Sequence, residues 1–362
     1  MPPADVSGRA LVLTGGRFAT SDAKTAHGLV HGSERFEIAG VVDSESAGKD
    51  AGEVLDGRRR GIPVFASLAD AIARLPHKPE WGIVGIAVAG GRMPDWLRAS
   101  LLEAIGSGLS IVSGLHDYVS QDPEFSEAAR KKGVRIVDVR QPKSFRELRF
   151  WSGEITRLKI PRLAVLGTDC ALGKRTTARL LRDACRGAGI AAELLFTGQT
   201  GWMQGCRYGF ILDSTLNDFV SGELEGAILA CAREASPQLM ILEGQSSLRN
   251  PSGPCGSELL LSGGAKGVIL QHAPAREYFE GLEEAGCLIP DLAGEIELIR
   301  MYGARTIAIA LNTEHLEPGE SAAAQKRISE RLGIPVVRPL EDGVESLVPL
   351  VSDFLLRESL AS

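Results

Sequence analysis

Short uninterrupted apolar runs recur along this chain, separated by stretches in which apolar residues return at every third or fourth position. In the first half the runs are Arg9–Thr14, Phe36–Val42, Trp81–Val88, Leu109–Val112 and Val134–Val137, with a brief extended piece at Pro63–Phe65. Helical spacing falls between them, over Ala23–His31, Leu68–Leu75, Asp95–Ser107 and Glu124–Lys132. Apolar runs without strict alternation predict strands covered on both faces, and strands alternating with helices predict βαβ units around a parallel sheet. The second half repeats the pattern. Strands are expected over Leu163–Leu166, Ile190–Phe196, Leu239–Leu242, Gly267–Leu270, Arg305–Leu311 and Ile334–Val337. Helices are expected over Ala178–Ala184, in an amphipathic stretch ending near Ala232, and over Ser321–Leu332 and Val344–Ser359. Between the halves, Gln141–Ile160 contains Pro142 and a cluster of charges with no β pattern, so it reads as a connection with one helix over Phe145–Trp151. The chain is therefore expected to be an α/β protein of two domains, residues 1–140 and 161–362, joined by a linker at 141–160.

One stretch carries recognisable chemistry. Gly167-Thr168-Asp169-Cys170-Ala171-Leu172-Gly173-Lys174-Arg175-Thr176-Thr177 follows an apolar run and opens a helix. A strand, a glycine-bounded loop ending in Gly-Lys and a helix together make a P-loop. Successive backbone N–H groups of such a loop form an anion nest, the helix N-terminus adds unpaired donors, and Lys174 supplies a cation. The second domain thus reads as P-loop NTPase-like, with a mainly parallel sheet. In the usual motif a Ser or Thr follows the lysine, and its hydroxyl ligates Mg²⁺. Here Arg175 follows, which has donors only, and the hydroxyls arrive at Thr176 and Thr177. The loop suits phosphates and offers no evident seat for a metal, so no metal site is expected.

The first domain looks Rossmann-like but lacks the dinucleotide fingerprint. Its first run is followed by Thr14-Gly15-Gly16-Arg17 rather than G-x-G-x-x-G, although Asp43 closes the second run where a ribose-binding acid would sit. A structural or gating role is preferred to NAD binding. His116 follows the fourth run, at the sheet edge where open α/β folds bind ligands, and is a candidate substrate contact or an ordinary loop histidine.

Further candidates follow strands of the second half. Gln199 and Thr200 lie in Thr197-Gly198-Gln199-Thr200-Gly201-Trp202, a ligand loop or a plain βα turn. Asp213, Asn217, Asp218 and Glu223 surround a helix start, where acids complement the helix dipole; Asp213 and Asp218 are also candidates for handling an ammonium group. Glu243 ends an apolar run and precedes Gly244-Gln245-Ser246-Ser247. A carboxylate walled by apolar strands has a raised pKa, which makes Glu243 the leading candidate for a general base, with Gln245 and Ser246 beside it. His272 and Arg276 emerge in Gln271-His272-Ala273-Pro274-Ala275-Arg276, and Asn312 follows Leu311 as a candidate adenine contact. Arg207, Arg249 and Arg276 are candidates to pair substrate carboxylates.

Charge and cysteine usage narrow the function class. A net charge of −6 with no basic tract argues against nucleic acid as a partner. The six cysteines (Cys170, Cys185, Cys206, Cys231, Cys255 and Cys287) form no CxxC pair and read as free thiols of a reducing cytosol. There is no basic segment leading into an apolar core at the start, and no apolar run approaches the ~18 residues of a membrane span. A cytoplasmic protein without a membrane partner is expected.

Five ordered motifs, GTDCALGKRTT, TGQTG, DSTLNDFVSGELEG, EGQSS and QHAPAR, together with SGLH at 113–116, resemble the DgcN-type P-loop proteins, long known only as a domain of unknown function. The resemblance covers most of the chain. It implies N-acetylation of D-glutamate or a related D-amino acid, with acetyl-CoA as co-substrate and the loop on the CoA phosphates. Acetyl transfer requires alignment of the amine, removal of its proton and stabilisation of the oxyanion, without Mg²⁺. Direct attack is preferred to a covalent route through Cys170. The loop is also similar to that of dethiobiotin synthetase, which implies an alternative: a ligase or kinase using ATP with Mg²⁺, with Thr176 replacing the missing metal ligand. A nucleotide-sensing protein without turnover is a third reading. Small-molecule substrates and a homo-oligomer are expected.

Overall fold

The computed structural model describes residues 5–87 and 93–361, in two compact units. The end of the expected run Trp81–Val88, with Ala89-Gly90-Gly91, lies outside the described residues. The first unit contains the chain up to Lys143 together with Gln199–Cys206. Its sheet is six-stranded and parallel, built from β1 (Gly8–Leu13), β2 (Phe36–Val42), β3 (Val64–Phe65), β4 (Trp81–Val84), β5 (Ser110–Ser113) and β6 (Ile136–Asp138) in the order β3-β2-β1-β4-β5-β6. That order is the doubly wound arrangement of the Rossmann fold. Leu13 is level with Val42 on one side and Val84 on the other, so the strand ends form one edge. The helix Asp95–Gly106 buries Leu97, Leu101, Ala104 and Ile105 against the sheet, beside Ile111 and Phe125. Each large apolar side chain enclosed in this way contributes about 1.5–3 kcal/mol.

The second unit contains residues 144–198 and the chain from Arg207 onward. Its seven-stranded parallel sheet is built from β7 (Arg162–Gly167), β8 (Ala192–Phe196), β9 (Tyr208–Gly209), β10 (Leu239–Glu243), β11 (Gly267–His272), β12 (Arg305–Leu311) and β13 (Val336–Val337), in the order β13-β12-β11-β7-β10-β8-β9. Strand β7 lies between β10 and β11, and all of Leu239–Glu243 is buried, as a run covered on both faces requires. Glu243 pairs with Val165 and Gln271 with Gly167, which brings the ends of the three strands to one edge. No helix among the described residues is long and apolar enough to cross a membrane.

The connection departs from expectation. No helix forms over Phe145–Trp151; a short 3₁₀ turn, Glu154–Arg157, follows instead. The cause is distant in sequence. Two buried carboxylates of the helix Asn217–Ala235 take the segment's amides: Glu223 accepts from Arg149 N–H at 3.1 Å, and Glu225 from Ser152 N–H at 2.5 Å and Ile155 N–H at 3.2 Å. A Cβ on Gly222 would stand 1.9 Å from the Arg149 carbonyl oxygen, so the segment lies directly on the helix backbone. Glu223, expected as a simple helix-start acid, is one of these anchors. Helices at Ala51–Asp56, Ser257–Leu261 and Leu292–Met301 and strand β9 carry no strong sequence signal and also go beyond the expected elements.

Candidate active site

The loop after β7 is shaped by side chains that hold it from outside. Thr168 N–H donates to the Gln271 carbonyl at 3.0 Å, and Thr168 Oγ1 lies 3.0 Å from His272 Nδ1 at the end of β11. The Asp169 carboxylate is fully buried and accepts from Asn250 Nδ2 at 3.1 Å, Arg276 at 2.9 Å and the Glu280 amide at 2.8 Å. Arg276 also donates to the Cys170 carbonyl at 2.9 Å. Thr177 donates to the Gln271 side chain at 2.7 Å and ties the first helical turn of Lys174–Gly187 to β11. Ala171 stands at φ 49°, a conformation that costs a non-glycine residue about 1 kcal/mol or more, and Gly173 at φ 93°.

These ties leave the loop's own donors over. Among the described hydrogen bonds, no backbone N–H from Asp169 to Gly173 finds a protein acceptor. Ala171 and Gly173 are exposed. Unpaired amides converging before a helix N-terminus form an anion site. Lys174 is buried, and its ammonium donates to the carbonyls of Asp169 at 2.5 Å and Ser246 at 2.8 Å. Burial lowers the pKa of Lys174, and the neighbouring Cys170 and Asp169 oppose the shift.

Glu243 closes β10 beside this loop. Its side chain is almost wholly enclosed, accepts from Thr197 N–H at 3.1 Å, and stands 3.9 Å from an Arg175 nitrogen. Burial raises its pKa, against the opposing charge of Arg175 and the donating amides of Thr197 and Gly198. Gln245 donates to Thr197 Oγ1 at 3.1 Å, and Thr197 in turn donates to the Glu243 carbonyl at 2.9 Å. Ser246 takes a left-handed φ of 41° and lies 3.5 Å from the Cys170 sulfur. Loop, Lys174, Arg175, Glu243, Gln245 and Ser246 therefore form one cluster.

The other sequence candidates are placed as follows. Asp213 and Asp218 are exposed, in the turn Leu212–Ser214 and the first turn of the helix Asn217–Ala235, unlike the enclosed Glu243. Gln199 and Thr200 are buried in the first unit, where Thr200 bonds Thr25 at 3.2 Å and Gln199 packs on Gly114. His116 is exposed in the first unit. His272 backs the loop through Thr168, and burial pushes its pKa down to about 4, so it is neutral at pH 7. Asn312 uses its side chain to accept from Glu314 N–H at 2.8 Å. Arg207 pairs with Glu234 at 2.6 Å, and Arg249 with the buried Glu295 at 2.6 Å. Sequence reasoning missed two loop supports: Asn250, which lies in a loop and belongs to none of the motifs, and Gln271, whose motif pointed to His272 and Arg276 instead.

In the first unit, Asp43 is buried and accepts from Thr14 Oγ1 at 2.8 Å, Phe18 N–H at 2.9 Å and Ser46 N–H at 2.9 Å. A carboxylate so engaged is not presented to a ribose. A Cβ on Gly15 would lie 2.0 Å from the Trp96 ring, which covers the turn where a dinucleotide fingerprint would face a pyrophosphate.

The P-loop domain model of a domain-of-unknown-function family, DUF1611, matches residues 149–348, and the family's N-terminal Rossmann-like domain model matches residues 44–142. The chain belongs to the DUF1611 family. A crystal structure of a DUF1611 protein from Anabaena variabilis superposes with a TM-score of 0.86 at 28% identity, covering 95% of this chain and 99% of that one. Two curated relatives are named D-glutamate N-acetyltransferase. The one from Pseudoalteromonas sp is 30% identical over 273 residues, and the one from Tritonibacter scottomollicae 28% identical over 271 residues; each match covers 74% of this chain and 79% of the relative.

Proposed function

We propose that this DUF1611 protein is a D-glutamate N-acetyltransferase that takes its acetyl group from acetyl-CoA. The observation that carries the reading is the enclosed Glu243 carboxylate 3.9 Å from Arg175, next to a loop whose amides have no protein acceptor among the described residues. The names of the two curated relatives support the substrate and the reaction. The loop fits a phosphate-bearing group: the amides of Asp169–Gly173 would hold it, with Lys174, Arg175 and Thr176 as side-chain partners. Bound acetyl-CoA would supply an already activated thioester carbonyl, so the chain needs no phosphoryl chemistry.

The remaining work falls to the protein's own groups. Glu243 takes a proton from the substrate ammonium, which frees the amine lone pair. Burial favours its protonated form, and Arg175 favours the ionised one that accepts the proton. Thr197 and Gly198 amides fix the carboxylate's orientation, and Gln245 fixes Thr197. Arg276 is held on Asp169 and the Cys170 carbonyl, so it acts on the reaction through loop shape.

The test is a mass-spectrometric assay with acetyl-CoA and D-glutamate in EDTA. Parallel reactions contain L-glutamate, or ATP with Mg²⁺ in place of acetyl-CoA. N-acetyl-D-glutamate with equimolar free CoA, reduced in Lys174→Ala when acetyl-CoA is held below the wild-type KM, is the expected result. ADP formed only with Mg²⁺, and no acetylated product, would replace this reading with an ATP-dependent ligase or kinase.

A further inference from the structure

The segment joining the two halves is aromatic, exposed and rigidly held. Of the protein's 11 Phe and 4 Trp, Phe145, Phe150 and Trp151 fall within one short stretch. Their relative exposures are 73%, 68% and 45%. Phe219, on the helix Asn217–Ala235, meets Phe145 at a ring distance of 6.1 Å and Phe150 at 4.5 Å. Leu216, one turn earlier, is 48% exposed. Trp151 donates to the Ser262 carbonyl, beside Leu261, which is 61% exposed. Among the described residues, five of the ten exposed large hydrophobic side chains thus lie on this segment or on the two helical stretches it meets, through Phe219 and Ser262, in the second unit.

Monomers rarely show such a patch, and aromatic clusters of this kind mark interfaces. The way it is held points the same way. Glu223 and Glu225 are buried carboxylates whose described hydrogen bonds go to the amides of this segment. Burying two carboxylates is costly, yet the segment they hold leaves its own aromatic rings outside. The result is a preorganised display, which lowers the ordering cost of association.

The charges choose the occupant. On the connecting segment, Arg146 and Arg149 flank the aromatic side chains; at the start of the helix, Asp213 and Asp218 flank Leu216. All four are exposed. A two-fold axis through the face would set the aromatic segment of one copy, with Arg146 and Arg149 outnumbering the exposed Glu147 between them, against the acidic, leucine-bearing helix start of the other, and would do so twice. That is the self-complementarity an isologous interface requires. We propose that this face is the interface between two copies of the chain, with Phe150 and Trp151 as its anchors. The inference is independent of the proposed reaction.

Sedimentation equilibrium of the full chain tests it. The wild type is expected to be a dimer at micromolar concentration. Phe150→Glu and Trp151→Glu should each weaken dimerisation by roughly tenfold or more, as loss of an interface anchor does, with the far-UV spectrum retained. Phe145→Ser and Leu261→Ser are milder variants that decide the matter if an anchor variant fails to fold. Arg146→Asp and Asp218→Arg should each weaken the dimer, and the double variant should recover at least part of the loss. A wild-type monomer overturns the proposal, as does a dimer indifferent to all four apolar substitutions. A monomer that instead binds anionic phosphatidylserine vesicles through Phe150 and Trp151 overturns it in favour of a lipid surface.

Discussion

Thr14 and Thr168 occupy the same place in two sheets. Each follows the first strand of its unit, and each bonds through its hydroxyl to the end of the adjacent strand: Thr14 to Asp43 at 2.8 Å, Thr168 to His272 at 3.0 Å. The consequences differ. Asp43 also takes the amides of Phe18 and Ser46, and Trp96 lies over Gly15, so the first turn's carboxylate is spent on its own protein, beside a small cavity lined by Gly15, Asp43 and Trp96. In the second unit the acid has moved into the loop itself. Asp169 faces away from the nest, toward Asn250, Arg276 and the Glu280 amide, and the loop amides are left over. One architecture thus gives a self-capped turn or an anion nest, according to where a single carboxylate stands.

The largest expected effect tests the second unit. Glu243→Gln keeps the acceptor for Thr197 N–H but cannot take a proton, and kcat for D-glutamate acetylation should fall by roughly 10²–10⁴-fold. In the wild type, the acid limb of kcat/KM should lie above the ordinary carboxylate range, because burial raises the pKa of Glu243. The limb should vanish in Glu243→Gln. Full activity in this variant would remove the carboxylate from the chemistry.

Lys174→Ala comes next. Loss of one buried charged donor at the nest should raise KM for acetyl-CoA by roughly tenfold to a hundredfold. The matching substitution on the other side of the comparison is Asp43→Asn. It removes the charge that caps the first turn and should lower stability by about 1–3 kcal/mol in urea unfolding, while KM for acetyl-CoA stays unchanged. If Asp43→Asn instead raised that KM as Lys174→Ala does, the first turn would be a ligand site and the contrast would fail.

How far the sequence reveals this contrast depends on the range of the forces involved. Apolar runs such as Leu239–Leu242 declare their strands because burial on both faces demands continuous hydrophobicity. The nest is legible from Gly167–Lys174 because its geometry is local. What lies between distant residues is not legible. The spacing of Phe145–Trp151 suits a helix, but the Arg149 amide is claimed by Glu223, and the Ser152 and Ile155 amides just beyond the stretch by Glu225, each about 70 positions away. Arg276 reads as a clamp for a substrate carboxylate, and the fold gives it Asp169 instead. Gln199 and Thr200 sit in a ligand-like motif directly after Gly198, yet they are packed in the other unit.

The smallest expected effect concerns the pair that opened the comparison. His272 is held neutral by burial, its pKa pushed down from 6.5 to about 4. In the unfolded chain the same imidazole takes up a proton below 6.5, so between 6.5 and about 4 the unfolded state binds more protons. Stability should therefore be full above that window, fall as pH falls through it, and level off below about 4 as far as this residue is concerned. His272→Asn keeps a polar atom within reach of Thr168 Oγ1 and cannot be protonated. Its stability near neutral pH should be close to the wild type's, and its decline between pH 6.5 and about 4 should be shallower, as followed by urea unfolding at stepped pH. An identical decline in the two proteins would show that the imidazole is not held neutral behind the loop. A shallower one would establish that the nest is backed by an uncharged group, where the self-capped turn of the first unit has Asp43.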